Sequence, residues 1–255
     1  MSSGGSISSG TGKVTLRIWR GTGQEGKHVD YTVEAGPGMV VLDVVHKVQA
    51  EQANDLAVRW NCKAGKCGSC SAEVNGMPRL MCMTRMTELP EGQPITVEPM
   101  RAFPVVKDLV CDVSWNFEAK KKIKKFKPRK PDAADGTWRM NQADIDRVQE
   151  FRKCIECFLC QNTCHVLRDH KMMNEYIGPR LLIYNAALEM HPLDTEDRIS
   201  DLKQRDGIGY CNINKCCTVV CPESIQITDN GIIPLKERVA DRFYDPLKRL
   251  LRVFG

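Results

Sequence analysis

The sequence predicts an α+β protein, a mixed sheet-and-helix domain followed by an all-helical one, and three observations predict it. Val14 to Arg20 alternates apolar and polar residues, the period of a half-buried strand. Asn75-Gly76 stands between SAEV and MPRL, and Asn-Gly is the strongest two-residue hairpin signal. Beyond Pro131 strand patterns give way to helix-start signals at Asn141, Pro179 and Pro234.

Taken in order, residues 1–11 are polar and rich in Gly and Ser, which predicts a disordered tail. The first domain, 12–113, holds the Val14 strand, a short strand at Tyr31 to Ala35 and helical spacing from Val41 to Ala53. The Asn75-Gly76 hairpin and a last strand at Ile95 to Glu98 complete it. A helix from Val106 into the lysines is expected to join the halves. The basic linker, 114–137, contains Lys120 to Lys130, KKKIKKFKPRK, eight basic residues in eleven, and ends in the turn-rich Asp132 to Gly136. The second domain, 138–255, is read as three principal helices. One is capped by Asn141 and runs to Arg152, one has Pro179 in its first turn and runs to Met190, and an amphipathic one is opened by Pro234 and kinked at Asp245-Pro246.

Composition narrows the function. At 255 residues, 42% hydrophobic and 27% charged, the chain is an ordinary globular protein. A net charge of +5 is too small to drive the whole fold toward nucleic acid. No apolar run approaches the ~20 residues that cross a bilayer. There is no dinucleotide fingerprint, no Walker loop and no Ser, His and Asp constellation. The polar start lacks a signal-peptide apolar region, so the expected setting is reducing and cytoplasmic.

The thirteen cysteines carry the chemistry. Cys62, Cys67 and Cys70 have the C-x4-C-x2-C spacing of plant-type ferredoxins, which hold a 2Fe-2S cluster on four thiolates. The hairpin brings Cys82 back beside Cys70 as the fourth. Gly65 and Gly68 let the backbone pass close to the cluster; Lys63 and Lys66 either compensate its charge or are solvated loop lysines. The run CIECFLCQNTC gives Cys154, Cys157, Cys160 and Cys164 the spacing of two-cluster bacterial ferredoxins, in which the fourth cysteine serves the other cluster. On that template Cys221, followed by Pro222, completes a 4Fe-4S cube with Cys154, Cys157 and Cys160.

Cys164 then joins Cys211 and Cys217. The position for a fourth ligand is Asn214, so three thiolates remain, which suits a 3Fe-4S cluster. Cys217 keeps the template spacing to both Cys211 and Cys221; Cys216, one residue off, is the alternative, as ligand or as replacement for the missing fourth. Zinc is the rival for all of these groups, but unbroken x2 spacing is typical of iron–sulfur cubes. Cys111, in the apolar DLVCDV, reads as a core thiol. Of the histidines at 28, 46, 165, 170 and 191, only His165, beside a candidate ligand, is placed to matter. Three clusters without a substrate site make a wire whose termini belong to partners.

This order of motifs in about 250 residues closely resembles the iron–sulfur subunit of succinate dehydrogenase and fumarate reductase. The resemblance implies a plant-type ferredoxin (β-grasp) domain followed by a bacterial-ferredoxin-like helical one. It places the 2Fe-2S cluster nearest the FAD of a partner flavoprotein and the 3Fe-4S cluster nearest a quinone. It implies a transmembrane anchor with quinone, heme b on some anchors, and a peripheral position on the cytoplasmic face of a bacterial membrane. His165 is then a candidate quinone contact. Ubiquinone-using relatives commonly have a proline where His165 stands and a histidine where Asn212 stands, which points to a menaquinone-type or atypical pocket. The alternatives are fumarate reduction in the reverse direction, and a subunit of a soluble oxidoreductase without an anchor. The lysine run is read either as a contact with anionic headgroups, at about 1 kcal/mol per basic residue, or as a solvated linker.

Overall fold

In the computed structural model, which describes residues 12–23 and 25–245, the chain divides into two compact units. One comprises the described residues up to Val113 together with Ile155–Thr163, and the other comprises Ser114–Cys154 and the described residues from Cys164 onward.

In the first unit β1 (Gly12–Thr22) pairs antiparallel with β2 (Glu25–Ala35) along its whole length, from Gly12 opposite Ala35 to Thr22 opposite Glu25. The second strand is therefore longer than Tyr31 to Ala35, because the ladder itself extends it through polar residues. Helix α1 (Val41–Glu51) buries Val41, Leu42, Val44, Val45 and Val48. Then come β3 (Ser71–Val74), β4 (Met77–Leu80) and β5 (Ile95–Glu98). The sheet order is β2-β1-β5-β3-β4, with β1 parallel to β5 and the other neighbours antiparallel. Leu16, Ile18, Ala72, Val74 and Val97 are almost fully buried and form the strand part of the unit's core.

The helix expected from Val106 into the lysines begins only at Ser114 and runs to Lys121. Val105–Lys107 (β6) and Val110–Cys111 (β7) form a small hairpin instead. Asp108 at its turn has φ 48°, a left-handed conformation that a right-handed helix cannot carry. The buried Asp108 carboxylate accepts hydrogen bonds from Gly21 N (3.0 Å) and Ala57 N (2.9 Å) and pairs with Arg20 at 3.1 Å, so distant backbone groups hold the turn.

The second unit opens with α2 (Ser114–Lys121) and α3 (Gln142–Gln149), which a 3-10 turn at Glu150–Lys153 prolongs. Asn141 stands at the α3 N-cap, but its side chain makes no capping bond. The short α4 (Leu159–Thr163) belongs to the first unit. Next come α5 (His165–Arg168), α6 (Gly178–Glu189), α7 (Ile199–Gln204) and α8 (Cys216–Val219). A π-helical turn at Ile227–Ile232 feeds α9 (Ile233–Phe243). Pro179 and Pro234 sit in the first turns of α6 and α9, where no amide is needed. Leu181, Leu182, Ile183 and Ala186 make α6 the buried centre of this unit. Pro246 and the 1–11 tail lie outside the described residues.

The basic stretch is tied down through its backbone. Arg198, 1% exposed, donates to the carbonyls of Lys124 (3.0 Å), Lys125 (2.7 Å) and Glu196 (3.2 Å) and pairs with the equally buried Asp194 at 2.9 Å. Arg129 N donates to Leu193 O and Thr195 N to Lys127 O, holding the stretch against the segment that follows α6.

Candidate metal centres

The loop from Cys62 to Cys70 is built so that amides face sulfur. Ala64, Lys66 and Cys67 direct their N–H groups at Cys62 Sγ (3.4, 3.3 and 3.3 Å), and those of Cys62 and Ser69 point at Cys67 Sγ (both 3.5 Å). Lys63, Gly65 and Gly68 all have φ between 54° and 67°, which curls the backbone around the sulfurs. Burial pushes the Cys67 thiol up, but its amide donors outweigh that and bring it to about 6. Hydrogen bonds to an anion favour the anion, so this loop suits thiolate ligands of a negatively charged cluster. Lys63 pairs with Asp43 at 3.8 Å and lies 5.0 Å over the Trp60 ring, so its charge is partnered within the protein.

The hairpin brings Cys82 back beside Cys70, as the sequence predicts. Asn75 (φ 48°) and Gly76 (φ 74°) make the primed turn, Ser71 faces Leu80, and Met81 N bonds to Cys70 O at 3.1 Å. Burial, then the neighbouring Cys82, drives the Cys70 thiol up to about 12.

Cys157 and Cys160 lie buried in the nine-residue segment of the first unit. Ser71 Oγ donates to Cys157 O (2.9 Å), and Asn162 accepts from Ala102 N and donates to Glu73 Oε1, both at 2.9 Å. Glu156 and Phe158 take left-handed φ values of 54° and 61°, turning the chain on both sides of Cys157. Cys154 and Cys221 lie in the second unit, where burial and then the nearness of Cys154 raise the Cys221 thiol.

In the second unit one cavity is lined by Cys164, Cys211 and Cys217, with Tyr176 and Thr228. Cys217 Sγ meets Thr228 Oγ1 at 3.5 Å, and Tyr176 lines the cavity together with Cys211. Burial pushes Cys164 to about 11 and Cys217 to about 12. Cys216 lines the same cavity. His165 opens α5 at its rim: Asn214 Nδ2 donates to Nδ1 (3.0 Å), since Asn214 Oδ1 is occupied by Cys216 N (3.2 Å). The Nε2–H then faces the Asn212 amide at 3.2 Å, which must present its oxygen. Cys111 is the expected core thiol, 7% exposed, raised to about 11 by burial and directed at Met100 O.

Among the described residues no three His, Cys, Asp or Glu side chains converge on a single-ion position. No iron of a 2Fe-2S, 3Fe-4S or 4Fe-4S cluster takes more than two cysteine thiolates, so cluster ligands do not converge in threes on a single ion. Glu73, Asn162, Tyr176 and Thr228 are residues that spacing arguments missed. Only Glu73 left a signal, a carboxylate inside an otherwise apolar strand, SAEV.

Comparison with known proteins matches residues 15–118 to the 2Fe-2S iron-sulfur cluster binding domain and 150–225 to the 4Fe-4S dicluster domain. The chain is 32% identical over 200 residues to the fumarate reductase iron-sulfur subunit of Mycobacterium tuberculosis, covering 76% of this chain and 79% of that one. It belongs to the iron–sulfur subunits of succinate dehydrogenase and fumarate reductase. To the succinate dehydrogenase iron-sulfur subunit of Bacillus subtilis this iron–sulfur subunit is 30% identical over 215 residues, 78% of this chain and 81% of that one. Among solved structures, a chain of the Mycobacterium smegmatis Sdh1 complex in the apo form matches the subunit at 60% identity and TM-score 0.89, covering 92% of this chain and 99% of that one.

Proposed function

We propose that this subunit carries electrons between the FAD of a flavoprotein that interconverts succinate and fumarate and a quinone at a transmembrane anchor, as part of a succinate:quinone oxidoreductase. The observation that carries the reading is the coincidence of three cysteine groups of defined spacing with membership of the family. The clusters, when bound, supply one-electron redox steps; the polypeptide supplies ligands, amide donors and burial. The direction of net flow follows the potentials of donor and acceptor, so fumarate reduction uses the same chain.

The ligand sets are Cys62, Cys67, Cys70 and Cys82 for 2Fe-2S; Cys154, Cys157, Cys160 and Cys221 for 4Fe-4S; and Cys164, Cys211 and Cys217 for 3Fe-4S. Amides on Cys62 and Cys67, and the cavity shared by the last three, support the first and third sets; spacing supports the second. The sheet order β2-β1-β5-β3-β4 with one parallel pair supports a plant-type ferredoxin (β-grasp) reading of 12–113. Residues 138–255 form the bacterial-ferredoxin-like part, with 114–137 as the basic linker and 1–11 as a tail. His165 is the candidate quinone contact, and a quinone oxygen there takes the place of Asn212 at Nε2. No helix among the described residues is long and apolar enough to cross a membrane. Membrane association runs through the anchor, on the cytoplasmic face.

Anaerobic iron and sulfide analysis with EPR of the oxidised and reduced complex tests this. Three distinct paramagnetic species and succinate-dependent quinone reduction are expected. A complex with zinc in place of iron, or one active with soluble acceptors but copurifying with no anchor, refutes it.

A further inference from the structure

Four cysteines, not three, line the cavity in the second unit: Cys164, Cys211, Cys217 and Cys216. Cys216 stands directly before Cys217 at the start of α8, so both cysteines enter this lining from one turn of helix. Asn214, which occupies the fourth-ligand position of the spacing template, is engaged elsewhere: its oxygen accepts from Cys216 N and its nitrogen donates to His165. The chain reaches Cys216 through two non-glycine residues in the left-handed region, Ile213 and Lys215, both at φ 63°. Isoleucine is branched at Cβ and adopts that conformation only when its surroundings impose it. The turn therefore swings the chain so that α8 begins at Cys216 and presents two successive cysteines to one cavity.

The geometry points to Cys216 as the ligand of a fourth iron: the cavity holds a 3Fe-4S cluster on Cys164, Cys211 and Cys217 and, under reducing, iron-replete conditions, completes it to a 4Fe-4S cube. This rests on the ligand assignment proposed above. An all-ferric three-iron core first takes one electron, from dithionite or from the electron-transfer chain, leaving two ferric ions and one ferrous. A ferrous ion then adds without further electron transfer and sheds water ligands. Cys216 loses its thiol proton to water as its sulfur–iron bond forms, and the product has two ferric and two ferrous ions. One-electron oxidation by ferricyanide reverses the sequence: the electron goes to the oxidant, the Cys216 sulfur–iron bond breaks, ferrous ion leaves with water ligands and the thiol regains its proton from water. The carboxamide of Asn214, held by two hydrogen bonds, takes no part as a ligand.

The test uses the intact complex, purified anaerobically, reduced with dithionite and incubated with excess ferrous ion before desalting. In the wild type the oxidised-state three-iron EPR signal is expected to fall by more than half, with one iron gained per chain. Cys216→Ser and Cys216→Ala are both expected to keep the three-iron signal through the same treatment. A wild type isolated already with a cube, reverting to three irons in both variants, supports the proposal equally. A wild-type signal untouched by ferrous ion overturns it, as does equal iron uptake by the variants, while the three-cluster reading stands in either case. A complex with no cluster signal at all removes the function reading itself, and the proposal with it.

Discussion

At the residue scale, the consequential groups are those whose surroundings leave them no alternative. Glu73 is fully buried, and its carboxylate is held by Arg101 (Nε at 2.7 Å, NH2 at 2.5 Å) and by Asn162 at 2.9 Å. Arg101 is itself half exposed, so its bonds to the carboxylate are partly screened. Arg101→Ala still strands most of a buried charge, and we expect a loss of about 1.5–3 kcal/mol, read as earlier thermal bleaching of the visible iron–sulfur absorbance. Two glycines separate space from conformation. Both Gly65 and Gly68 are left-handed, at φ 66° and 67°. A Cβ on Gly68 meets the backbone Cα of Cys157 at 2.6 Å, whereas one on Gly65 meets the flexible Met83 sulfur at 2.8 Å. Gly68→Ala is expected to yield protein with little 2Fe-2S content, and Gly65→Ala protein with most of it, in iron analysis and reduced-state EPR. Equal behaviour of the two contradicts the packing argument.

At the scale of elements, the β3–β4 hairpin is the device that puts Cys82 beside Cys70. Gly76 has nothing within 4 Å of an added Cβ, but its φ of 74° taxes any side chain. Gly76→Val is therefore expected to cost about 1–2 kcal/mol, felt as faster loss of the 2Fe-2S signal on heating while the other signals persist. The loop after the basic stretch carries a pH signature. Asp132 is held by the Arg129 guanidinium and then by Arg139 N, at 2.6 Å, which lowers its pKa from 3.8 to about 2. Because the folded value lies below the unfolded one, the tie contributes above the ordinary carboxylate range and is lost as pH falls from 3.8 toward 2. A carboxyl NMR titration is expected to give a midpoint near the lower value, moving up toward the ordinary one in Arg129→Ala. An unchanged midpoint in that variant removes the pairing. The basic stretch itself was legible as charge but not as structure. The cavity with Cys164, Cys211 and Cys217 is lined by Tyr176 and Pro179, at the head of α6, whereas Lys127 and Arg129 bond to Thr195 and Leu193 beyond its tail. A twelve-residue helix spans ~18 Å, so Lys127 and Arg129 do not flank the candidate 3Fe-4S cavity.

At the scale of the whole chain, Arg198 shows what a spacing argument cannot reach. It gathers the carbonyls of Lys124 and Lys125, over seventy residues away, in a site 1% exposed. Arg198→Ala leaves Asp194 and these carbonyls without their partner, and a loss of about 3–5 kcal/mol is expected. The check is limited proteolysis, with new cleavage within Lys120 to Lys130. If the variant is as resistant as the wild type, the buried pair does not hold the stretch.

What the sequence determined by itself is the inventory and spacing of sulfur, the Asn-Gly turn, the prolines that open α6 and α9, and the α+β order. Each is local: a ligand spacing, a turn type or a first-turn proline is decided within a few residues. Only tertiary structure decided the rest. Asp108 takes a left-handed turn where helical spacing suggested otherwise because Gly21 N and Ala57 N require its carboxylate. The segment Ile155–Thr163 joins the first unit because Glu73, Ala102 and Ser71 satisfy its polar groups. Cys216 lines the cavity because Ile213 and Lys215 bend the chain. These outcomes depend on partners far along the chain, and buried hydrogen bonds and packing, which one residue's neighbours in sequence do not encode, select them.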